Sequence, residues 1–182
     1  MTNNMLGKNI ETNVLRYEAD PRHVKIDKPV KFVIIGFGGR GRLYASYAEK
    51  NPTQMQVAGV ADIVEFRRNT AKNQYKIDKK YVFNTWEDVF KVPKFADVIV
   101  VSTPDYLHYG PAMKALEMGY NVLLEKPIAQ TWQECNDIQN QAKKYNRIVA
   151  VCHVLRYAPY FKKLKEVRDS GVMGEFVSML HL

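Results

Sequence analysis

Three glycines spaced Gly36-x-Gly38-x-x-Gly41 follow directly after an apolar segment at residues 31–35. A strand that runs into such a turn and then into a helix, here predicted at 42–50, can bring backbone amides against a pyrophosphate. Gly36 provides the tight turn, Gly38 has no Cβ to block the phosphates, and Gly41 lets the helix pack closely on the strand. The segment therefore predicts a dinucleotide site.

The next part of the chain supplies a second strand and the acidic residue that such a site uses. An apolar strand is predicted at 55–60, and Asp62 follows it about 20 positions after the glycine turn. We expect its carboxylate to accept from the ribose hydroxyls of the adenosine half, which favours NAD over NADP because a carboxylate repels a 2′-phosphate. Two alternatives stay open: Asp62 caps the helix predicted at 64–75, or Arg67 or Arg68 in that helix contacts a 2′-phosphate.

The rest of the chain alternates strands and helices, which indicates the fold class. Segments such as 97–102 are continuously apolar, as in parallel sheets whose two faces are covered by helices. We predict an α/β fold with a doubly wound parallel sheet, the Rossmann fold, at residues 30–154. Residues 1–29 are expected to form a polar arm, and residues 155–182 a linking helix and the first strand of a truncated C-terminal α+β domain. The strands are predicted at 31–35, 55–60, 81–83, 97–102, 121–125 and 147–154.

Composition and charge narrow the class of protein. With 46% apolar and 25% charged residues, the 182-residue chain has the composition of an ordinary globular protein. Its net charge of +8 comes from lysines without interleaved aromatic residues, so we expect no nucleic-acid partner. No signal peptide or membrane-spanning segment is recognisable, which predicts a cytoplasmic protein without membrane contact. The two cysteines lack metal-ligand spacing, so we expect buried thiols and no metal site.

Ligands of a doubly wound sheet bind beyond the carboxyl ends of its strands, so the loops after strands four, five and six are the next candidates. We expect all three loops to emerge at one edge of the sheet. They contain Ser102-Thr103-Pro104 and His108 after strand four, Glu125-Lys126-Pro127 after strand five, and His153 after strand six.

Together these motifs resemble the N-terminal part of the Gfo/Idh/MocA family, which includes glucose-fructose oxidoreductase and inositol dehydrogenase. The resemblance covers residue 30 to the end and is most specific at 103–129. It implies an NAD(P)-dependent oxidoreductase that transfers a hydride between nicotinamide and a sugar, cyclitol or related polyol. It also implies that Lys126 lies near the substrate, where its ammonium polarises the reacting hydroxyl, and that Glu125 helps to position it.

The candidate site residues have alternative interpretations. His153 is the second candidate catalytic residue, and packing in the core is the alternative. His108 either contacts the cofactor or makes a structural hydrogen bond that ties its loop to the sheet. For Glu125 and Lys126 the alternative is a surface ion pair. The residues expected to contact the cofactor are Gly36, Phe37, Gly38, Gly39, Arg40, Gly41, Asp62, Arg67, Ser102, Thr103, Pro104, His108, Glu125 and Lys126.

The sequence departs from the family pattern in one respect. The resemblance implies an Asp-x-x-x-His motif in a second domain, where the histidine takes a proton, and this sequence has no such motif. We therefore expect a truncated relative or an N-terminal fragment, with substrate groups and homo-oligomer contacts in the missing part. Two other functions stay open: an NAD-dependent glycoside hydrolase of the same family, and a non-catalytic nucleotide-binding module.

Overall fold

A computed structural model describes residues 27–175, 177, 178 and 180 of the chain. Within these residues the strands are β1 (Val30–Ile35), β2 (Met55–Ala61), β3 (Val82–Phe83), β4 (Val98–Val101), β5 (Asn121–Leu124) and β6 (Val149–Val151). All paired strands are parallel, and their order across the sheet is β3-β2-β1-β4-β5-β6. The predicted doubly wound parallel sheet is confirmed, and the strand order reverses between β1 and β4.

Except for the last helix, which follows β6, the helices connect successive strands and flank the sheet. They are α1 (Gly39–Ala45), α2 (Tyr47–Lys50), α3 (Glu65–Tyr75), α4 (Trp86–Val89), α5 (Tyr109–Glu117), α6 (Trp132–Lys144) and α7 (Pro159–Asp169). The helix predicted at 42–50 already begins at Gly39 and is divided at Ser46 into α1 and α2. The Ser46 hydroxyl donates to the carbonyl oxygen of Leu43 at 2.8 Å, a local bond of the kind that competes with regular helix.

Local signals in the sequence account for where the helices on one face begin and end. Thr85 and Thr131 start α4 and α6 with capping boxes, in which the threonine pairs with an acidic residue of the first helical turn. Gly119 follows α5 with a φ of +78°, a conformation that glycine adopts without strain. These signals fix ends of α4, which packs over β2 and β3, of α5, which packs over β4 and β5, and of α6, which packs against α5.

The core lies on both faces of the sheet, since successive residues of a strand point to opposite sides. In β1, Val33 and Ile35 pack in one cluster together with Tyr120, whereas Ile34 packs in the other with Val100. All five of these residues are almost completely buried. The two-sided burial explains why the strands are continuously apolar rather than alternating.

The two predicted terminal segments are covered only in part. Most of the predicted arm, residues 1–26, lies outside the described residues, as do residues 176, 179, 181 and 182 near the end of the segment in which the first strand of a second domain is predicted. The linking helix predicted within 155–182 is present as α7, which follows a short 3₁₀ turn at Val154–Tyr157. The division into an arm, a Rossmann domain and a second domain stays a prediction. None of the described helices has the length and apolar character that crossing a membrane requires.

Candidate functional site

The carboxyl ends of the strands meet in one row across the sheet. The last residues of β3, β2, β1, β4, β5 and β6 are consecutive register partners: Phe83, Ala61, Ile35, Val101, Leu124 and Val151. The loops that leave these strands therefore begin side by side at one edge, as the sequence predicts. The residues that follow β2, β1, β4, β5 and β6 in this row are Asp62, Gly36, Ser102, Glu125 and Cys152.

The glycine turn after β1 is packed tightly against the loop after β4. Gly36 has a φ of +88°, and a Cβ on it would lie 2.6 Å from the carbonyl oxygen of Ser102. A Cβ on Gly41 would lie 2.0 Å from the carbonyl oxygen of Gly36. The Ser102 hydroxyl donates to that same Gly36 oxygen at 2.8 Å. Gly36 and Gly41 are therefore required by the fold itself, independently of any ligand.

Gly38 and Gly39 stand in open space instead. A Cβ on Gly38 would meet only the Arg67 Nη1 atom, at 3.9 Å, and a Cβ on Gly39 would meet nothing within 4 Å. Gly38 is the N-cap of α1, and no side chain caps that helix. Because the protein does not fill this space, the turn leaves a cradle in which a phosphate group can approach backbone amides at the helix start.

Asp62 is anchored by the backbone on two sides. Its Oδ2 accepts from the amide of Phe37 at 2.7 Å, and its Oδ1 accepts from the amide of Val64 at 2.8 Å. The residue is buried, with 7% of its surface exposed. The bond to Val64, which is the N-cap of α3, supports the capping alternative, because the carboxylate orders the turn just before the helix. The side chain of Phe37 itself is completely buried in the core, so only its backbone belongs to the site.

The two arginines of α3 are placed differently. The Arg67 Nη1 atom lies 3.8 Å from the Asp62 Oδ2 atom and next to Gly38, so its half-exposed guanidinium covers the glycine turn. Arg68 instead donates from Nη1 to the backbone carbonyl oxygen of Asp62 at 2.7 Å. The sequence left open whether Arg67 or Arg68 contacts a phosphate, and of the two it is Arg67 whose charge lies beside the glycine turn.

His108 joins two of the candidate loops from inside the protein. Its imidazole is completely buried, with Nδ1 2.6 Å from the carbonyl oxygen of Pro127 and Nε2 3.1 Å from that of Thr103. This geometry favours the structural interpretation of His108, because the ring holds the loop after β4 against the loop after β5. Thr103 is half-buried and Pro104 is exposed, so both remain accessible at the edge of the sheet.

Glu125 is a buried carboxylate held by donors from three residues. Its Oε1 accepts from the Tyr44 hydroxyl and lies 3.0 Å from the Arg40 Nε atom in an ion pair. Its Oε2 accepts from the amide of Lys126 at 2.9 Å. A surface ion pair between Glu125 and Lys126 was the structural alternative, and it is wrong: Glu125 is 5% exposed and its cationic partner is Arg40. The strand end buries the carboxylate, and burial requires these donors.

Two neighbouring groups are kept protonated by their surroundings. Burial raises the pKa of the Tyr44 hydroxyl above its ordinary value, and hydrogen bonding to Cys152 and Glu125 raises it further. Burial also raises the pKa of the Cys152 thiol. Of the two thiols that the sequence predicts to be buried, Cys152 is buried, whereas Cys135 is only partly buried. At neutral pH the tyrosine therefore acts as a hydrogen-bond donor to Glu125.

The two candidate catalytic side chains are both accessible. Lys126 is exposed, and no salt bridge involves it among the described residues. His153 is also exposed, which excludes core packing, and its amide donates to the carbonyl oxygen of Val151 at 2.9 Å. In the part of the chain that the structure describes, no group of His, Cys, Asp and Glu side chains could hold a metal ion.

Tyr44 is the site residue that the sequence analysis missed. It lies on α1 four positions after Arg40, so the two side chains share one face of the helix. A polar residue at that spacing from the glycine turn is the signal that could have identified it. Its acceptor, Glu125, is distant in sequence, and only the packing of α1 against the end of β5 brings the two together.

Comparison with known proteins agrees with this geometry. The family model described as "Oxidoreductase family, NAD-binding Rossmann fold" matches residues 30–153. Inositol 2-dehydrogenase of Salmonella typhimurium is 29% identical over 147 residues, which are 80% of this chain and 43% of that protein. The 2,7-anhydro-N-acetylneuraminate hydratase of Mediterraneibacter gnavus is 34% identical over 79 residues, 43% of this chain and 21% of that protein.

Solved structures show the same fold. The crystal structure of myo-inositol 2-dehydrogenase from Lactobacillus plantarum superimposes with a TM-score of 0.74 at 22% identity, covering 82% of this chain and 44% of that one. The chain thus spans less than half the length of the relatives that it matches.

Proposed function

Because this chain belongs to the Gfo/Idh/MocA oxidoreductase family, with that family's NAD-binding Rossmann domain at residues 30–153, we propose that it provides the cofactor site of an NAD-dependent dehydrogenase. The proposed substrate is a cyclitol, sugar or related polyol, and the relatives named inositol 2-dehydrogenase support that class. When bound, NAD takes a hydride from a substrate carbon. The observation that carries the proposal is the meeting of Lys126 and the glycine turn at one edge of the sheet.

The glycine turn and Asp62 are the proposed holders of the dinucleotide. The open space at Gly38 and Gly39 suits the pyrophosphate, and α1 begins there with its first amides uncapped by side chains. Each Asp62 oxygen already accepts one backbone amide and keeps a second lone pair with which to accept from a ribose hydroxyl. Arg67 adds a positive charge beside the phosphates. The accessible residues Thr103 and Pro104 border the same edge.

Lys126 and His153 are the proposed catalytic residues. Glu125 is not available as a base, because both of its oxygens already accept hydrogen bonds inside the protein. The exposed ammonium of Lys126 can donate to the substrate oxygen and stabilise charge that develops there. The imidazole of His153, at the end of the neighbouring strand, can exchange a proton with the same region.

Replacing Lys126 tests the proposed role. In the native protein, assayed with NAD and a panel of cyclitols and sugars that includes myo-inositol, Lys126→Ala should lower kcat by about 10²- to 10³-fold, the effect of removing one preorganised donor. The Kd for NAD should stay within about 3-fold, since the pyrophosphate and ribose contacts do not involve the ammonium. Lys143→Ala, at an exposed position in the last turn of α6, is the matched control and should leave both quantities unchanged.

Three results would contradict the proposal or part of it. Absence of NAD binding in a calorimetric titration of the native protein would exclude a cofactor site and leave the glycine turn as a structural feature. NAD binding without turnover of any tested polyol would favour the non-catalytic nucleotide-binding module. An unchanged kcat in Lys126→Ala would show that Glu125-Lys126-Pro127 is only a structural turn.

The similarity to a hydratase favours a second candidate function, in which NAD is reduced and reoxidised within each cycle and the net reaction is not a redox reaction. The NAD-dependent glycoside hydrolase falls in the same class. Absorbance at the NADH band separates the two functions: a dehydrogenase accumulates NADH in proportion to product, whereas the second mechanism forms product without net NADH.

The partners and location are further parts of the proposal. We infer a cytoplasmic protein that forms a homo-oligomer and binds neither nucleic acid nor membranes, and the scattered lysines and globular composition support this. Sedimentation of the native protein, with and without added DNA, RNA and lipid vesicles, measures the oligomeric state and each kind of binding.

A further inference from the structure

Two side chains of α1 contact Glu125, the residue that directly precedes Lys126. Arg40 lies within the glycine turn and Tyr44 lies one helical turn later; Arg40 forms an ion pair with Oε1 of Glu125, and the Tyr44 hydroxyl donates to the same oxygen. One hydroxyl thus joins the helix that follows the glycine turn to the end of β5.

The other oxygen of Glu125 holds the backbone of the candidate catalytic residue Lys126. Its Oε2 accepts from the amide of Lys126 at 2.9 Å, so the carboxylate fixes the backbone from which the Lys126 side chain extends. The candidate catalytic residue Lys126 therefore directly follows the group that the Tyr44 hydroxyl contacts.

The two donors of α1 differ in how firmly they can hold the carboxylate. The Arg40 side chain is 41% exposed and belongs to the glycine turn, where the phosphates of a bound dinucleotide compete for a guanidinium. Tyr44 is half-buried, and its neutral hydroxyl has no such competitor. A phenylalanine would fill the same space without holding Glu125, so packing alone does not explain a hydroxyl at this position.

We propose that Tyr44 is a positioning residue of the active site: its hydroxyl holds the Glu125 carboxylate so that Lys126 keeps its place relative to the glycine turn. This inference rests on the proposed function. It assigns Tyr44 no contact with substrate or cofactor. It also gives the helix that starts at the cofactor cradle a direct link to the loop that carries Lys126.

Tyr44→Phe is the first test, with Tyr47→Phe as the matched control. Tyr47 lies on α2 and its hydroxyl donates to Gln54 Oε1 at 2.6 Å, away from the site. Tyr44→Phe should lower kcat by about 10-fold or more, the scale of one hydrogen bond to a charged group, with the Kd for NAD within about 3-fold. Tyr47→Phe should leave both values unchanged. Equal kcat values for Tyr44→Phe and the native protein would overturn the proposal.

A second readout does not depend on turnover. Hydrogen exchange of the Lys126 amide should be about 10-fold faster in Tyr44→Phe than in Tyr47→Phe, because the Glu125 acceptor loses its restraint. Unchanged exchange at Lys126 would overturn the inference even in a protein that oxidises no polyol, so its failure is distinguishable from failure of the proposed function.

A double-mutant cycle completes the design. In a Glu125→Gln background, Tyr44→Phe should change kcat and the exchange of the Lys126 amide by less than about 2-fold, since the contact is already altered. Fully additive effects would show that Tyr44 acts by another route and would overturn the proposal. If Tyr44→Phe does not fold, Glu125→Gln by itself tests the same link, and unchanged exchange of the Lys126 amide in that variant contradicts it.

Discussion

A Cβ atom on Gly41 would lie 2.0 Å from the carbonyl oxygen of Gly36, closer than any side chain can approach. The same position is bordered by the Ser102 hydroxyl at 3.0 Å, so α1 cannot shift to make room without breaking contacts with the loop after β4. The spacing of these two glycines is therefore a packing requirement between the first helix and the first strand.

We predict that Gly41→Ala lowers the free energy of unfolding by about 1–3 kcal/mol, the usual cost of overpacking a close contact. Gly39→Ala is the control, because a Cβ there meets nothing within 4 Å, and it should leave the free energy of unfolding within about 0.5 kcal/mol of the native value. Urea unfolding of the protein without cofactor measures both. Equal stability of the two variants would mean that α1 moves freely.

Cofactor preference is expected to follow the charges around Asp62. NAD should bind at least about 10-fold more tightly than NADP, because the carboxylate repels a 2′-phosphate. Asp62→Ala should reduce this difference, whereas Arg67→Ala should widen it by removing the cation 3.8 Å from the Asp62 Oδ2 atom. Calorimetric titration of both dinucleotides is the measurement, and tighter binding of NADP to the native protein would show that Arg67 dominates.

His108 is predicted to stabilise the two loops that it joins. His108→Leu removes the ring nitrogens that lie within hydrogen-bond distance of the carbonyl oxygens of Thr103 and Pro127. A neutral imidazole donates from one nitrogen, so the loss of that bond should lower the free energy of unfolding by about 1–3 kcal/mol. Tyr106→Ala, in the same loop but with a side chain that is 65% exposed, should change it by less than about 0.5 kcal/mol. Native stability combined with a large loss of NAD affinity would instead indicate a direct cofactor contact.

Alkaline pH is predicted to weaken the fold through Cys152 and Tyr44. Burial raises the pKa of both groups above their ordinary values of 9.0 and 10.0, so the unfolded chain loses these protons at lower pH than the folded one. Their contribution is therefore fully present below about pH 9 and decreases as pH rises beyond it. Cys152→Ala should make this decrease shallower in urea unfolding measured from pH 8 to 10.5. An identical slope in the variant would show that the thiol does not contribute.

Much of the architecture can be predicted from short segments of the sequence. The apolar run before Gly36 and the strand before Asp62 each predict their element from a handful of neighbouring residues, and the structure confirms both strands. The spacing of the motifs also placed the candidate loops at the carboxyl ends of the strands, because parallel strands joined by helices must all begin at the opposite edge. The sequence did not predict the division of the first helix at Ser46, where the serine hydroxyl donates to the nearby carbonyl oxygen of Leu43.

Only the tertiary structure determined which groups meet at the edge formed by the carboxyl ends of the strands. The sequence brings Glu125 next to Lys126 and leaves an ion pair between them open as an alternative, but folding buries Glu125 beneath α1, where Arg40 and Tyr44 become its partners. A buried carboxylate must find donors, and those within reach depend on packing between elements far apart in the chain. The same reason makes His108 a link between loops: local sequence determined the glycine turn and the strands, whereas long-range burial determined what each polar side chain holds.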